Sequence, residues 1–145
     1  MGSFAVKSMK MDVSEVIAML NKALADEWLA AYQYWAGAKV AKGPMRVALV
    51  PELEEHMKDE LRHADILAER IVQLGGMPVL DPAQLGALAG CGYAAPVDPS
   101  TMALLKQNIA GEQCAITYYN EIMDKVRGKD PVTHNTVLEI LKDEL

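Results

Sequence analysis

The sequence predicts an all-α fold, a four-helix bundle with one long crossover between its second and third helices. Apolar residues recur at spacings of three and four along four segments, as expected for helices with one buried face. The composition, with nine methionines and no long runs of Val, Ile or Thr, also favours helices over strands. A chain of 145 residues suits a single domain, predicted here over residues 1–145.

Breaking and capping residues delimit the first pair of helices. The first helix is predicted over residues 12–41, stopped by Gly43 and Pro44. The second begins between Pro44 and Pro51 and ends at residues 75–76, with Pro51 either in its first turn or at a kink. Residues 1–11 are expected to form a mobile N-terminal tail.

The second pair follows a connection of unusual length. Residues 77–97 are rich in Gly, Pro and Ala, and we expect them to cross the bundle from end to end. Asp98 and Pro99 predict a cap and first residue for the third helix, which continues to about residue 127. Asp130 and Pro131 repeat this pattern for the fourth helix. That helix has only about 15 residues at 1.5 Å each, so we expect a truncated fourth helix.

Charge and hydropathy exclude several kinds of partner. The net charge of −6, without a basic cluster, argues against a nucleic-acid surface. Apolar runs are too short for a membrane span, and no secretory signal precedes the first helix, so a cytoplasmic location is expected. The last four residues, 142–145, match an endoplasmic-reticulum retrieval signal, which we interpret as coincidence.

Each helix places one glutamate among the residues that should face the core. The apolar series of the third helix, for example, is expected to bury Met102, Leu105 and Ile109 ahead of its glutamate. The four residues are Glu27, Glu60, Glu112 and Glu144. Burying one isolated carboxylate costs several kcal/mol, so four require neutralisation, and no Lys or Arg shares these series. Two divalent cations would balance the four charges.

Spacing and an added imidazole strengthen the metal hypothesis. Glu60 follows Glu27 by 33 residues, and Glu144 follows Glu112 by 32, as a site with pseudo-twofold symmetry would require. His63 lies three residues after Glu60, on the same helix face. Carboxylates with an imidazole suit Fe, Mn or Zn better than Ca or Mg. The alternative is an ordinary helical bundle in which His63 is a core histidine.

The other two histidines are assigned lesser roles. His56, one helical step before Glu60, is interpreted as a flanking residue beside the site, although it could also point inward. His134 lies in the first turn of the fourth helix, too far along it to join the cluster.

Three segments resemble the bacterioferritins, members of the ferritin-like superfamily. Residues 20–27 with 32–34 resemble their first helix, residues 60–65 with 69–71 their second, and residues 137–144 the start of their fourth-helix metal motif. The resemblance covers most of the chain from about residue 12, least in the 77–97 crossover. It implies a ferritin-like four-helix bundle.

The resemblance also implies roles for the site residues. Glu60 and Glu144 would bridge two metal ions, Glu27 and Glu112 would be terminal ligands, and His63 would complete one position. Tyr34 would either hydrogen-bond a ligating carboxylate or simply pack in the core.

Two departures from the family pattern carry expectations of their own. Leu61 stands at the haem-binding Met position, so no haem is expected. A histidine expected three residues after Glu144 lies beyond the last residue, so we expect this chain to be a truncated product with one weak or empty metal position.

The two cysteines narrow the resemblance. Cys114 lies two residues after Glu112, and Cys91 lies in the crossover. A cysteine pair beside a bacterioferritin-type site resembles the Dps-like ferritins called thioferritins, which form twelve-subunit cages and use peroxide. The pair would then be redox-active; the alternative is two unrelated buried thiols.

The implied function is that of a ferroxidase and mini-ferritin. Two iron ions per subunit, with Mn or Zn possible instead, would bind at the site and be oxidised by peroxide or dioxygen, for iron storage and protection from oxidative stress. The expected partners are iron, the oxidant and copies of the same chain in a dodecameric cage, without nucleic acid or membrane. The alternative is a di-metal peroxidase or catalase-like oxidoreductase that stores no iron.

Overall fold

Four long helices carry the fold of this computed structural model, which describes residues 9–145. None of the helices in that range combines the length and apolar character that a membrane span needs. A 3₁₀ turn, Pro82–Gln84, leads directly into the single-turn helix α3. The helices are α1 (Val13–Val40), α2 (Arg46–Gln73), α3 (Leu85–Leu88), α4 (Thr101–Val126) and α5 (Pro131–Glu144).

Most predicted helix boundaries are confirmed, with their capping chemistry. The Asp12 carboxylate accepts the backbone N–H of Ser14 at 2.9 Å, which satisfies one of the free donors at the start of α1. Gly75 follows α2 with φ of 81°, a left-handed conformation that glycine adopts at no steric cost. Pro51 lies inside α2 rather than in its first turn.

The predicted start of the third long helix is wrong by two residues. Ser100, not Asp98, is the N-cap of α4, and its side chain accepts the N–H of Ala103. Asp98 instead accepts the N–H of Ser100 in a local turn. Pro99 cannot begin the helix because its carbonyl accepts the N–H of Lys42 at 2.7 Å, which holds this stretch extended.

The crossover runs the length of α1, as predicted. The crossover runs parallel to α1, because successive side chains along α1 accept hydrogen bonds from successive backbone N–H groups of the crossover. Beyond the end of α1, a backbone hydrogen bond makes the last contact. These four contacts join Asn21 to Val79, Asp26 to Cys91, Gln33 to Ala94 and Lys42 to Pro99. Polar residues of α1 therefore satisfy the backbone of a segment that has little regular structure of its own.

The buried side chains form two separate apolar clusters. The larger joins α1, α2, α4 and α5 around Leu20, Leu67 and Tyr119. The smaller joins the other ends of α1 and α2 to α4, and includes Leu53 and Leu104. The core glutamates of α1 and α2 come between these clusters along each helix, so the carboxylates interrupt the apolar core rather than border it.

One predicted core series is wrong. Met102, Leu105 and Ile109 are 61%, 37% and 55% exposed, and Leu104 is the residue that packs inward. The reason is the difference in helix length, because α5 has 14 residues and α4 has 26. Only the second half of α4 runs beside α5, so the first half has an apolar face without a helix against it.

Part of the predicted N-terminal tail is docked on the bundle. Met9 and Met11 pack against the larger apolar cluster, and the N–H of Lys10 donates to the carbonyl of Lys129 at 3.2 Å. Residues 1–8 of that predicted tail lie outside the described residues.

Candidate metal centre

Three helices bring four of the predicted ligands together. Glu27 of α1, Glu60 and His63 of α2, and Glu144 of α5 each offer a ligand atom, and these atoms all lie within 4.8 Å of one another. The side chains are 2–6% exposed. Because each helix buries its apolar residues at spacings of three and four, a glutamate in that series is carried into the core with them.

Hydrogen bonding within the protein leaves this cluster unsatisfied. Nδ1 of His63 lies 3.1 Å from Glu144, 3.4 Å from Glu60 and 3.5 Å from Glu27. One ring nitrogen carries at most one proton and cannot serve three carboxylates. Accordingly, Oε2 of Glu27 and Oε1 of Glu144 are buried without a hydrogen-bond partner. Two orphaned oxygens beside an imidazole nitrogen fit a divalent cation such as Fe, Mn or Zn.

The electrostatics of the metal-free cluster favour retained protons. Burial, followed by the hydrogen bond with Glu27, raises the pKa of Glu60 to about 9. Burial alone would lower the pKa of His63, but its contacts with Glu144, Glu27 and Glu60 outweigh burial and raise that pKa to about 12. The cluster therefore holds protons at neutral pH, and a bound cation would displace them.

Glu112, the fifth predicted ligand, lies at the edge of the cluster. Its side chain is 21% exposed, and its Oε1 accepts a hydrogen bond from the Tyr34 hydroxyl. His56 stacks on Tyr34 with 5.1 Å between ring centroids and places Nδ1 3.8 Å from the same Oε1. Burial, followed by the neighbouring Glu144, raises the pKa of Glu112 to about 7. His56 is thus a flanking residue, as interpreted from the sequence.

A second tyrosine, not singled out from the sequence as a site residue, mirrors the first. Tyr119 donates a hydrogen bond to Oε1 of Glu27 and is fully buried. Burial raises the pKa of both phenols, so each stays protonated as a donor. Each tyrosine follows one core glutamate by seven residues and bonds the other, Tyr34 with Glu112 and Tyr119 with Glu27. This shared spacing of seven residues is the sequence pattern from which Tyr119 could have been predicted as a site residue.

An aspartate and an arginine lie on the far side of His63. Asp143 Oδ2 is 3.3 Å from Nε2 of His63, and Arg62 forms an ion pair with Asp143. Neither residue could be selected from a local pattern, because charged residues on exposed helix faces are common.

Arg70 is a buried charge that no local pattern in the sequence predicts. Among the described residues it is the one Lys or Arg that is buried, at 4% exposure. It donates to Oγ1 of Thr133 at 2.8 Å and to both carboxylate oxygens of Asp130 at 3.0 and 3.1 Å. Arg70 is therefore fully engaged at the start of α5 and does not neutralise the glutamates.

A cavity of about 230 Å³ reaches the carboxylates from the crossover side. Glu27, Glu60 and Glu112 form part of its wall. Cys91 and Cys114 form another part and are joined in a disulfide with Cα atoms 5.9 Å apart. The predicted association of the two cysteines is confirmed, and it lies beside the predicted site.

Comparison with known proteins agrees with this architecture. The chain is 45% identical to the bacterioferritin-related protein of Bacteroides fragilis, a dodecameric thioferritin, over 97% of this chain and 85% of that one, with a TM-score of 0.95. It is 33% identical to the DNA protection during starvation protein of Pyrococcus furiosus over 92% of this chain and 73% of that protein.

A bacterioferritin is also similar. The Rhodobacter capsulatus protein, whose structure has a metal-free dinuclear site and a haem iron, shares 27% identity over 94% of this chain and 79% of that one, with a TM-score of 0.74. The family model of the ferritin-like domain matches residues 17–145. The chain therefore belongs to the ferritin-like domain family.

Proposed function

We propose that this protein is a ferroxidase and mini-ferritin, for which iron(II) is the substrate and the buried carboxylate cluster is the oxidation site. The observation that carries the proposal is the unsatisfied cluster of four ligand residues within 4.8 Å. Its two orphaned oxygens cost several kcal/mol of desolvation unless a cation or a proton compensates them. Relatives in the same family include bacterioferritins and a thioferritin.

The position of each residue in the cluster determines its proposed role. Glu60 and Glu144 approach His63 from two different helices and are suited to bridge a pair of ions, with Glu27 and Glu112 as terminal ligands. Tyr34 and Tyr119 orient Glu112 and Glu27 through hydrogen bonds, which leaves the other oxygen of each carboxylate free for metal.

The oxidation balances with the groups available. Two iron(II) ions give one electron each to a peroxide, its O–O bond breaks, and two protons complete two waters. With dioxygen as oxidant, the two iron(II) ions give one electron each, and two protons from water complete hydrogen peroxide. The cavity beside Glu27, Glu60 and Glu112 offers a route by which a small oxidant reaches the ions.

Exposed aromatic residues support assembly into a shell. Trp28, Tyr32 and Trp35 are 44–57% exposed on one side of α1, and Tyr32 packs against Tyr93 of the crossover with 5.9 Å between ring centroids. A face of this kind is typical of a contact between subunits. We therefore expect a closed homo-oligomer, dodecameric like the thioferritin relative, that retains oxidised iron.

The Cys91–Cys114 disulfide favours a second candidate, a di-metal peroxidase that stores no iron. It shares a cavity wall with the carboxylates. The reduced pair could give two electrons and two protons to peroxide, forming the disulfide and two waters. With an added dithiol to reduce the disulfide again after each cycle, turnover of peroxide without retained iron, lost in a Cys91→Ser/Cys114→Ser variant, would favour this candidate over storage.

Iron(II) oxidation by the purified protein tests the proposal. We expect rapid oxidation with peroxide or dioxygen, a loss of about 100-fold or more in Glu60→Ala, and iron retained with the oligomer on size-exclusion chromatography. Glu69→Ala, an exposed glutamate of the same helix, is the matched control and should oxidise iron normally. Full activity in Glu60→Ala would contradict the assignment of the site.

A further inference from the structure

Residues 90–94 of the crossover, called the strap below, lie along the cavity beside the carboxylates. Cys91 and Ala94 belong to the cavity wall, as does Asp26 of α1. The strap has no helix or strand of its own, so its backbone groups must find partners elsewhere in the chain. Side chains of α1 and α4 supply those partners, and the disulfide from Cys91 to Cys114 adds a covalent link to α4.

One carboxylate of α1 binds three successive backbone N–H groups of the strap. Oδ1 of Asp26 accepts the N–H of Cys91 at 2.8 Å and that of Gly92 at 3.4 Å, and Oδ2 accepts the N–H of Gly90 at 3.0 Å. Successive N–H groups that converge in this way form a nest, a concave backbone arrangement that binds anionic groups. The side chain that fills this nest therefore fixes the backbone on both sides of Cys91.

The nest depends on the backbone conformation of Gly92. Its φ of 74° lies in the left-handed region, which glycine adopts without the steric penalty that a Cβ brings. No heavy atom outside its chain neighbours lies within 4 Å of the place that a Cβ would take at this residue. A change to alanine there therefore acts on the backbone angle and leaves the side chain of Asp26 in place.

Two glutamines hold the other end of the strap. Oε1 of Gln33 accepts the N–H of Ala94 at 3.1 Å, and Nε2 of Gln107 donates to the carbonyl of Ala94. Both α1 and α4 thus bind the strap through hydrogen bonds that do not need the disulfide. The contact with Asp26 includes the N–H of Cys91 itself, so it determines where this cysteine lies once the disulfide is broken.

We propose that Asp26 is a positioning residue for the cysteine pair, which holds Cys91 beside Cys114 after the disulfide is reduced. Reduction adds two electrons and two protons, breaks the S–S bond and leaves two thiols that the nest keeps close. The disulfide and the nest restrain the same segment, so each favours the other by the same factor. The inference requires neither a bound metal nor iron oxidation, so it goes beyond the proposed function and can be tested separately.

The reduction potential of the disulfide in the metal-free protein measures this coupling. The protein is equilibrated with mixtures of reduced and oxidised dithiothreitol, which supply or take up the two electrons and two protons, and free thiols are counted after acid quenching. We expect Asp26→Ala to lower the equilibrium constant for disulfide formation by about tenfold, which raises the potential by about 30 mV. Gly92→Ala, which disturbs the nest from the strap side, should lower the constant by about threefold or more.

Asp81→Ala is the matched control. Asp81 is an exposed aspartate of the same crossover, and its carboxylate accepts the N–H of Ala83 at 2.9 Å. It makes the same kind of contact as Asp26 but away from the cysteines, so its variant should keep the constant within about twofold of the unmodified protein. Circular dichroism should show unchanged helix content in all three variants. If Asp26→Ala loses helix content, Gly92→Ala decides the test.

Hydrogen exchange followed by mass spectrometry gives a readout that is independent of the thiol equilibrium. In the reduced forms of the unmodified protein and of Asp81→Ala, the amides of residues 90–92 should stay protected, because the nest remains filled. In reduced Asp26→Ala the same amides should exchange about tenfold faster or more. Oxidised Asp26→Ala should show a smaller change, since the disulfide still restrains the strap.

The outcomes separate this inference from the proposed function. A raised potential in Asp26→Ala and Gly92→Ala, with faster exchange in reduced Asp26→Ala, supports the inference even if the protein oxidises no iron. An unchanged potential in a folded Asp26→Ala overturns it, even if iron oxidation is rapid. A shift in Asp26→Ala without one in Gly92→Ala also overturns it, because the nest is then not the cause. Loss of amide protection when the unmodified protein is reduced overturns it as well.

Discussion

Two buried polar clusters join α2 to α5. They differ in whether their charged groups find hydrogen-bond partners within the protein. Near the start of α5, Arg70 meets Asp130 and Thr133 in a network whose hydrogen bonds are 2.8–3.1 Å long. Near the end of α5, Glu60 and Glu144 meet Glu27 around a single imidazole, and one oxygen each of Glu27 and Glu144 has no hydrogen-bond partner. The first cluster balances Asp130 with the fixed charge of Arg70, whereas the second has only His63 among three glutamates. This difference supports the proposal that the second cluster binds a cation from outside the chain.

The largest expected effect comes from breaking the self-sufficient cluster. Asp130→Ala leaves the Arg70 guanidinium buried without its counter-charge, which should destabilise the metal-free protein by about 3–5 kcal/mol. Urea unfolding followed by circular dichroism measures the change. Asp124→Ala is the control, because Asp124 forms an exposed ion pair with Arg127, and surface pairs contribute about 1 kcal/mol or less. Equal effects in the two variants would show that the buried network is not structural.

The same kind of change at the other cluster should not destabilise the protein. Glu60→Gln removes a buried carboxyl group that no Lys or Arg pairs with, so the metal-free stability should stay the same or rise by about 1 kcal/mol. Added zinc(II) sharpens the contrast. At 100 times its dissociation constant it should stabilise the unmodified protein by about 2.7 kcal/mol, with little gain in Glu60→Gln. A large loss of metal-free stability in Glu60→Gln would contradict the proposed difference between the two clusters.

The two clusters should also respond oppositely to pH. Burial acts to raise the pKa of Asp130, but hydrogen bonds from Thr133 and Arg70 prevail and lower it. The stability that the ionised Asp130 contributes is fully present above its pKa in the unfolded chain, about 3.9. It is lost as the pH falls through its lower pKa in the folded protein.

The pH dependence of stability has the opposite sign at Glu60, because burial raises the pKa of this residue to about 9. Its stabilising protonation is complete below the unfolded pKa of about 4.3 and is lost as pH rises toward 9. The free energy of unfolding should be measured from pH 2 to 9 and plotted against pH. Asp130→Asn should flatten the slope of this plot at acid pH, and Glu60→Gln should flatten it above pH 5. Parallel pH profiles for both variants and the unmodified protein would count against this account.

Local patterns predicted much of this structure, and contacts between distant residues supplied the rest. Helical periodicity placed Glu27 and Glu60 in the core, and Asp130 was correctly assigned as a cap from the Asp-Pro pair. The same local rule failed at Asp98, because Pro99 pairs with Lys42 across the fold. Periodicity cannot state how far a neighbouring helix extends, which is why a predicted core series on α4 proved exposed.

Charged residues were hardest to place from sequence. Arg70 is buried only because Asp130 and Thr133, about 60 residues later, meet it in space. Asp143 has no local pattern that marks it as a site residue, and only the fold brings it to His63, 80 residues earlier. Such partnerships depend on tertiary packing and leave no periodic signal in the sequence.

Anomalous diffraction from crystals soaked in manganese(II) would test most directly whether the unpaired cluster is a cation site. The account predicts an anomalous peak bound by Glu27, Glu60, Glu144 and His63, with His63 coordinating through Nδ1 and no peak at the Arg70 network. A cluster without a peak, in which the carboxylates and His63 are joined only by hydrogen bonds at a manganese concentration that occupies other sites, would contradict it.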